Sequence, residues 1–160
     1  MDIVEYNKNY QEDIKDLLVE LQEYVVSIDK YHLNIFSSQY RELYFKKTLQ
    51  LIKKNNGKIF IAVKDNKTMG MIAGYIQKYN KLDRVDYTCP KKGIIEELIV
   101  SSSCRANGVG KLLLQSMENY FKENNCEFCQ VDVFSYNNNG KNFYNKYHFE
   151  NRMETMFKKL

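Results

Sequence analysis

Ile14, Leu17, Leu18, Leu21, Val25 and Ile28 recur at intervals that place their side chains along one stripe of an α-helix. A long amphipathic helix is predicted there, entered behind Asn9 and preceded by a short strand at IVEY. A second helical stretch, residues 38–54, carries Tyr40, Leu43, Tyr44, Leu51 and Ile52, and Asn56 and Gly57 stop it. Beyond Lys58 the period changes. KIFIAV, the polar turn DNKT and MGMIAGYIQ read as two strands of a hairpin. A polar segment from Lys78 to Lys92 with the only proline, Pro90, leads to a further strand, GIIEELIV. Helical spacing returns with Leu113, Leu114, Met117 and Phe121, followed by a strand over 127–134. Asn137, Asn138, Asn139 and Gly140 introduce a short helix with Phe143, Tyr144 and Tyr147, and residues 152–159 are predicted to close the chain as a strand.

Strands alternating with helices in this order predict an α/β protein with a mixed sheet flanked by helices. A length of 160 residues with no linker or repeat fits one domain, 1–160, large enough to bury about 70% of its unfolded surface. The net charge of +4 comes from lysines and arginines scattered along the chain, so no nucleic-acid surface is expected. No apolar run approaches the ~20 residues of a membrane span, and MDIVEYNKNY lacks a leader pattern. The expectation is a cytoplasmic protein without membrane contact. Among the four cysteines, Cys126 and Cys129 form a C-x-x-C, but no second pair follows at metal-site spacing. Reduced thiols and no metal site are therefore expected.

RANGVG, residues 105–110, lies between a strand and a helix. A glycine-rich loop there aims unpaired N–H groups and the positive end of the helix dipole at one spot, which suits an anion. Arg105 and Lys111 add charge-assisted donors. Two familiar phosphate motifs fail on spacing. A P-loop needs glycine at 105 and Ser or Thr at 112, where Arg105 and Leu112 stand; a dinucleotide fingerprint needs glycine at 113, where Leu113 stands. R-x-x-G-x-G remains, and by itself it also fits a plain turn before a helix.

IIEELIV, the interval from Val100 to Arg105, RANGVG-K-LL and the later N-x-x-G-x-x-F-Y-x-x-x-H-F together resemble the GNAT family of N-acetyltransferases. The resemblance covers nearly the whole chain. It implies a mixed, mostly antiparallel sheet of about six to seven strands with about four helices. Two of its strands splay apart to admit acetyl-CoA. On this resemblance the diphosphate of coenzyme A would lie on Arg105, Ala106, Asn107, Gly108, Val109, Gly110 and Lys111. Leu98, Ile99 and Val100 would pair with the pantetheine arm as with another strand. Asn137 matches an asparagine that contacts the cofactor, although a plain helix cap explains it equally. Three positions depart from the family pattern: Ala106 and His148 stand where glycine is usual, and Gly140 where alanine is common.

Transfer of an acetyl group to an amine requires removal of a proton from an ammonium with pKa near ~10.4. Glu96 and Glu97 sit on the strand expected beside the thioester, and regular alternation would turn only one of them toward the acceptor. Alignment through Val100 favours Glu96 as the base, directly or through water; a purely structural role for both stays open. Tyr144 matches the family tyrosine that protonates the departing sulfur. The acceptor pocket, about 24–44, is rich in aromatic residues, which suits a small-molecule or peptide amine. The competing reading is a non-catalytic CoA-binding or protein-interaction module on the same fold. The fold often forms dimers, so a homodimer is compatible with all of these readings.

Overall fold

Asp65 and Asn66 both adopt left-handed backbone, with φ of 50° and 61°, and reverse the chain in a two-residue turn that suits the twist of the strands it joins. The computed structural model describes residues 1–160. In it the turn connects β2 (Lys58–Lys64) to β3 (Lys67–Ile76), paired from Lys64↔Lys67 to Lys58↔Gly74. β1 (Asp2–Glu5) lies antiparallel outside β2, and β4 (Lys92–Val100) lies antiparallel to β3. β5 (Phe128–Val131) adds to β4 in parallel, giving the order β1-β2-β3-β4-β5.

The helices are α1 (Gln11–Ile28), α2 (Tyr40–Lys54), a single turn α3 (Asp83–Asp86), α4 (Val109–Glu123) and α5 (Asn138–Lys146). A 3₁₀ turn, Lys8–Tyr10, precedes α1, and its cap is Asn7, whose side chain accepts from the Asn9 N–H, not Asn9 itself. Three helices end alike. Asn56, Asn125 and His148 take φ of 48°, 57° and 64°. The next N–H then reaches back to the helix: Gly57 to the Ile52 carbonyl, Cys126 to Phe121 and Phe149 to Tyr144. His148 thus occupies the left-handed position where the family usually has glycine.

Two cores form on opposite faces of the sheet. Ile14, Leu17 and Leu18 of α1 meet Phe45 and Ile52 of α2 over Ile59, Ile61, Met71 and Ile99. On the other face Val109, Leu113, Leu114, Met117 and Phe121 of α4 pack on Ala62, Ile72 and Ile95, together with Tyr144 of α5.

Two expectations are corrected. The sheet has five strands, fewer than six to seven. The difference lies at the C-terminus, where residues 150–160 form no strand and make no hydrogen bond from backbone to backbone. Side chains alone hold this arm: the Arg152 guanidinium lies over the Tyr87 ring, and Phe157 packs against Tyr31, whose hydroxyl donates to the Phe157 carbonyl. The arm's apolar residues, Met153, Met156, Phe157 and Leu160, remain exposed instead of facing a sheet.

Candidate active site

β4 and β5 pair only from Lys92↔Phe128 to Ile95↔Val131. β4 continues to Val100, so Glu97–Val100 has a ladder partner on the β3 side, and Glu96–Val100 has a free edge on the other. This is the opening between splayed strands. Leu98 and Val100 pack partly on the α4 core, while Ile99 is buried in the α1/α2 core.

At the end of that edge the chain makes a 3₁₀ turn, Ser102–Cys104, and then the loop that starts α4. Ala106 and Gly108 are both left-handed, with φ of 65° and 75°. That backbone explains why glycine is common at the first of them; alanine there carries a penalty of roughly 1 kcal/mol. α4 begins with no side-chain cap and no acid in its first turn, and the N–H groups of Val109, Gly110 and Lys111 have no main-chain acceptor. A Cβ on Gly108 would meet open space, whereas one on Gly110 would lie 3.1 Å from the Phe143 ring. Gly110 thus lets α4 approach α5, a packing role beside the one expected of it at the anion. Arg105 flanks the loop, its Nε donating to the Val100 carbonyl at 3.3 Å and its Nη2 lying 3.5 Å from Glu20 Oε1.

The two carboxylates do not alternate as expected. Ala73 pairs with Glu97 and Gly74 with Ile95, so Glu96 is an extra residue in β4, a β-bulge. The bulge turns Glu96 toward the side that Glu97 already faces. Lys47 of α2 favours ionisation of both, and both charges reach Tyr44. Glu97 is 9% exposed and accepts a hydrogen bond from the Tyr44 hydroxyl. Burial pushes its carboxyl up to about 7, the Tyr44 bond and Lys47 pulling the other way and Glu96 adding to the rise. Glu96 is half-buried; burial raises its carboxyl too, Lys47 opposes that, and Asp132 adds to it. Tyr40 stacks on Tyr44, ring centroids 4.7 Å apart at 14°.

Tyr144 approaches from α5. It is buried between Phe143 and Phe149, each ring 5.2 Å away, and the left-handed cap at His148 folds Phe149 back over it. Its hydroxyl has no protein partner and keeps access to solvent. Burial raises its pKa, and Cys129 and then Glu97 add to the rise, so its proton stays on oxygen at neutral pH. Asn137 does cap α5: its Oδ1 accepts from the Gly140 N–H at 2.8 Å and from the Tyr24 hydroxyl of α1 at 3.0 Å. Cys129 of the C-x-x-C is held by burial as a thiol, its pKa pushed up to about 12.

Sequence reasoning put Tyr40 and Tyr44 within the aromatic acceptor stretch but gave neither a role at the carboxylates, since a tyrosine at helical spacing reads as core. Asp29, which lies in the same 24–44 stretch, is buried after α1. Its carboxylate accepts from the N–H groups of Tyr31, Leu33 and Asn34 and from the Asn34 amide, and so folds the loop to α2. Those bonds, the backbone of Asn34 foremost, hold its carboxyl at about 2. An aspartate just past a helical stripe was a readable turn signal.

The free edge of β4 thus runs from the two carboxylates to the uncapped glycine loop before α4. The Acetyltransferase (GNAT) family model matches residues 25–149, and the chain belongs to that family. Solved structures share the fold. A mutant of the BH1408 protein from Bacillus halodurans superposes with a TM-score of 0.86 at 21% identity, covering 100% of this chain and 99% of that one. The aminoglycoside 6'-N-acetyltransferase AAC(6')-IG from Acinetobacter haemolyticus gives 0.74 at 16% identity, over 100% and 98%. The aminoglycoside N-acetyltransferase AAC(6')-Iy in complex with CoA gives 0.69 at 19%, over 99% and 98%.

Proposed function

We propose that the protein is an acetyl-CoA-dependent N-acetyltransferase acting on a primary amine by direct attack in a ternary complex. The observation that carries this reading is the free edge of β4, which begins beside Glu96 and Glu97 and ends at the uncapped loop before α4. The residues present fit the donor. Val109, Gly110 and Lys111 offer free N–H groups and Arg105 a cation for a diphosphate, and Glu96–Val100 offers an unpaired edge for an extended amide chain. Acetyl-CoA supplies an acyl group activated as a thioester.

Glu97 takes the proton from the acceptor ammonium through a water molecule. A carboxylate held at about 7 is matched to this at neutral pH, and Glu97, not Glu96, is the one whose charge reaches Tyr144. Glu96 adds negative charge that draws the ammonium in. The freed nitrogen forms a bond to the acetyl carbon, the carbon–sulfur bond breaks, and Tyr144 gives a proton to the departing sulfur. The nitrogen gives up its second proton to the tyrosine oxygen as the amide forms, and the proton held by Glu97 returns to solvent. The acceptor is an amine with an apolar body, since the stacked rings of Tyr40 and Tyr44 from α2 lie beside the carboxylates.

The test is release of free thiol from acetyl-CoA across a panel of aminoglycosides, polyamines and peptides. A responsive amine is expected, and Tyr144→Phe should lower kcat by roughly 10²-fold with CoA binding retained. Full-speed turnover by that variant would remove Tyr144 from the chemistry. Tight CoA binding without turnover on any amine would make the protein a binding module.

A further inference from the structure

We propose that Tyr44 is a positioning residue that fixes and tunes the Glu97 carboxylate; this rests on the reading of Glu97 as the base. The argument starts from the bulge, which leaves Glu97 buried against α2 with few sources of hydrogen bonds. β3 presents Ala73 opposite it, which offers no side-chain donor. The Tyr44 hydroxyl is the side-chain donor that Glu97 has. A buried carboxylate with no donor would bear the full desolvation penalty of its charge and would protonate or swing away.

Tyr44 is itself held. Its ring stacks on Tyr40, one helical turn earlier, and Lys47 Nζ lies 5.2 Å from the ring centroid on the same helix. Burial and then the Glu97 charge raise the Tyr44 pKa, so the hydroxyl remains a donor throughout the range in which Glu97 titrates. The other titratable groups facing Glu97 are Tyr40 and Lys47 from α2, Glu96 from β4 and Tyr144 from α5, with Asp132 beyond β5 acting on Glu96. Lys47 is exposed, and Glu96 is a like charge. Neither can substitute for a donor on the carboxylate oxygen.

Tyr44→Phe keeps the ring stack and removes only the donor. A bond to the charged form lowers a carboxyl pKa, so its loss raises that of Glu97. The acid limb of the kcat/KM profile should move up by about one pH unit. Activity should therefore drop about tenfold below the limb and recover toward wild type above it, with KM for acetyl-CoA unchanged. A tyrosine that merely packs would lower the rate equally at every pH, and that result overturns the proposal. In the wild-type protein, the Tyr44 Cζ carbon resonance should follow the Glu97 titration near pH 7; a resonance blind to it is a second overturning result that needs no variant. Failure of the underlying reading looks different. Glu97→Gln at wild-type rate, or a profile without an acid limb, removes Glu97 as the base whatever Tyr44 does.

Discussion

The two faces of the sheet are built on different terms. Beneath α4 and α5 the buried side chains are aliphatic or aromatic, the one polar atom among them being the Tyr144 hydroxyl. On the α1/α2 face Lys15, Asp29, Thr48 and Glu97 are buried among the apolar residues, and each buried polar atom has a partner. Lys15 bridges Glu12 and Glu42 at 3.0 and 2.8 Å, and Arg41 joins Asp16 and Glu12 at 2.8 and 2.9 Å, tying α2 to α1 through charges. One face is scaffold and the other holds charge where water is scarce. The face that carries Glu97 is the one that keeps its ionisable groups.

Truncation of the scaffold should give the largest change. Leu113 is fully buried, and Leu113→Ala should lower unfolding free energy by about 3 kcal/mol in a denaturant titration while leaving kcat of the folded fraction nearly unchanged. Next comes Glu97→Gln, which sets the two faces against each other. A carboxyl raised from 4.5 to about 7 in the folded state binds protons that the unfolded chain releases, so its contribution to stability is fully present below pH 4.5 and is lost as pH rises through 7. Removing the charge should raise stability at pH 8 by about 2 kcal/mol, a Tm gain of about 5 °C, while turnover collapses. An unchanged Tm at pH 8 would mean that the buried charge is not under strain. The smallest effect is expected at the end of α5. His148→Gly relieves a left-handed backbone and should add about 1 kcal/mol, with no change in the pH profile of the reaction.

Much of the scaffold was legible because it depends on local chemistry. Asp65 and Asn66 announce their turn, Asn56 and Gly57 their helix end, and the stripe from Leu113 to Phe121 its buried face. The loop before α4 was legible for the same reason, since two glycines and an arginine sit within a few residues of it. The acceptor side was not. Whether Glu96 and Glu97 share a face depends on how β4 registers against β3, and the slip between Ala73 and Gly74 leaves no local mark in IIEELIV. The Tyr44–Glu97 contact joins residues far apart in the chain, and the Asn137–Tyr24 bond spans more still. The C-terminal arm was expected as a strand, but strand formation needs a partner edge, which no pattern within the arm can supply.

The extra residue in β4 also reverses the phase of the strand. Gly93 lies under Phe121 and Ile95 packs on α4, yet Glu97 and Ile99, which continue the same odd-numbered series, point to α1 and α2. Excising Glu96 would therefore restore an unbroken ladder without moving a single apolar side chain to the wrong layer. Glu96 has been inserted into the architecture beside Glu97 as a unit one amino acid long that the rest of the sheet could do without.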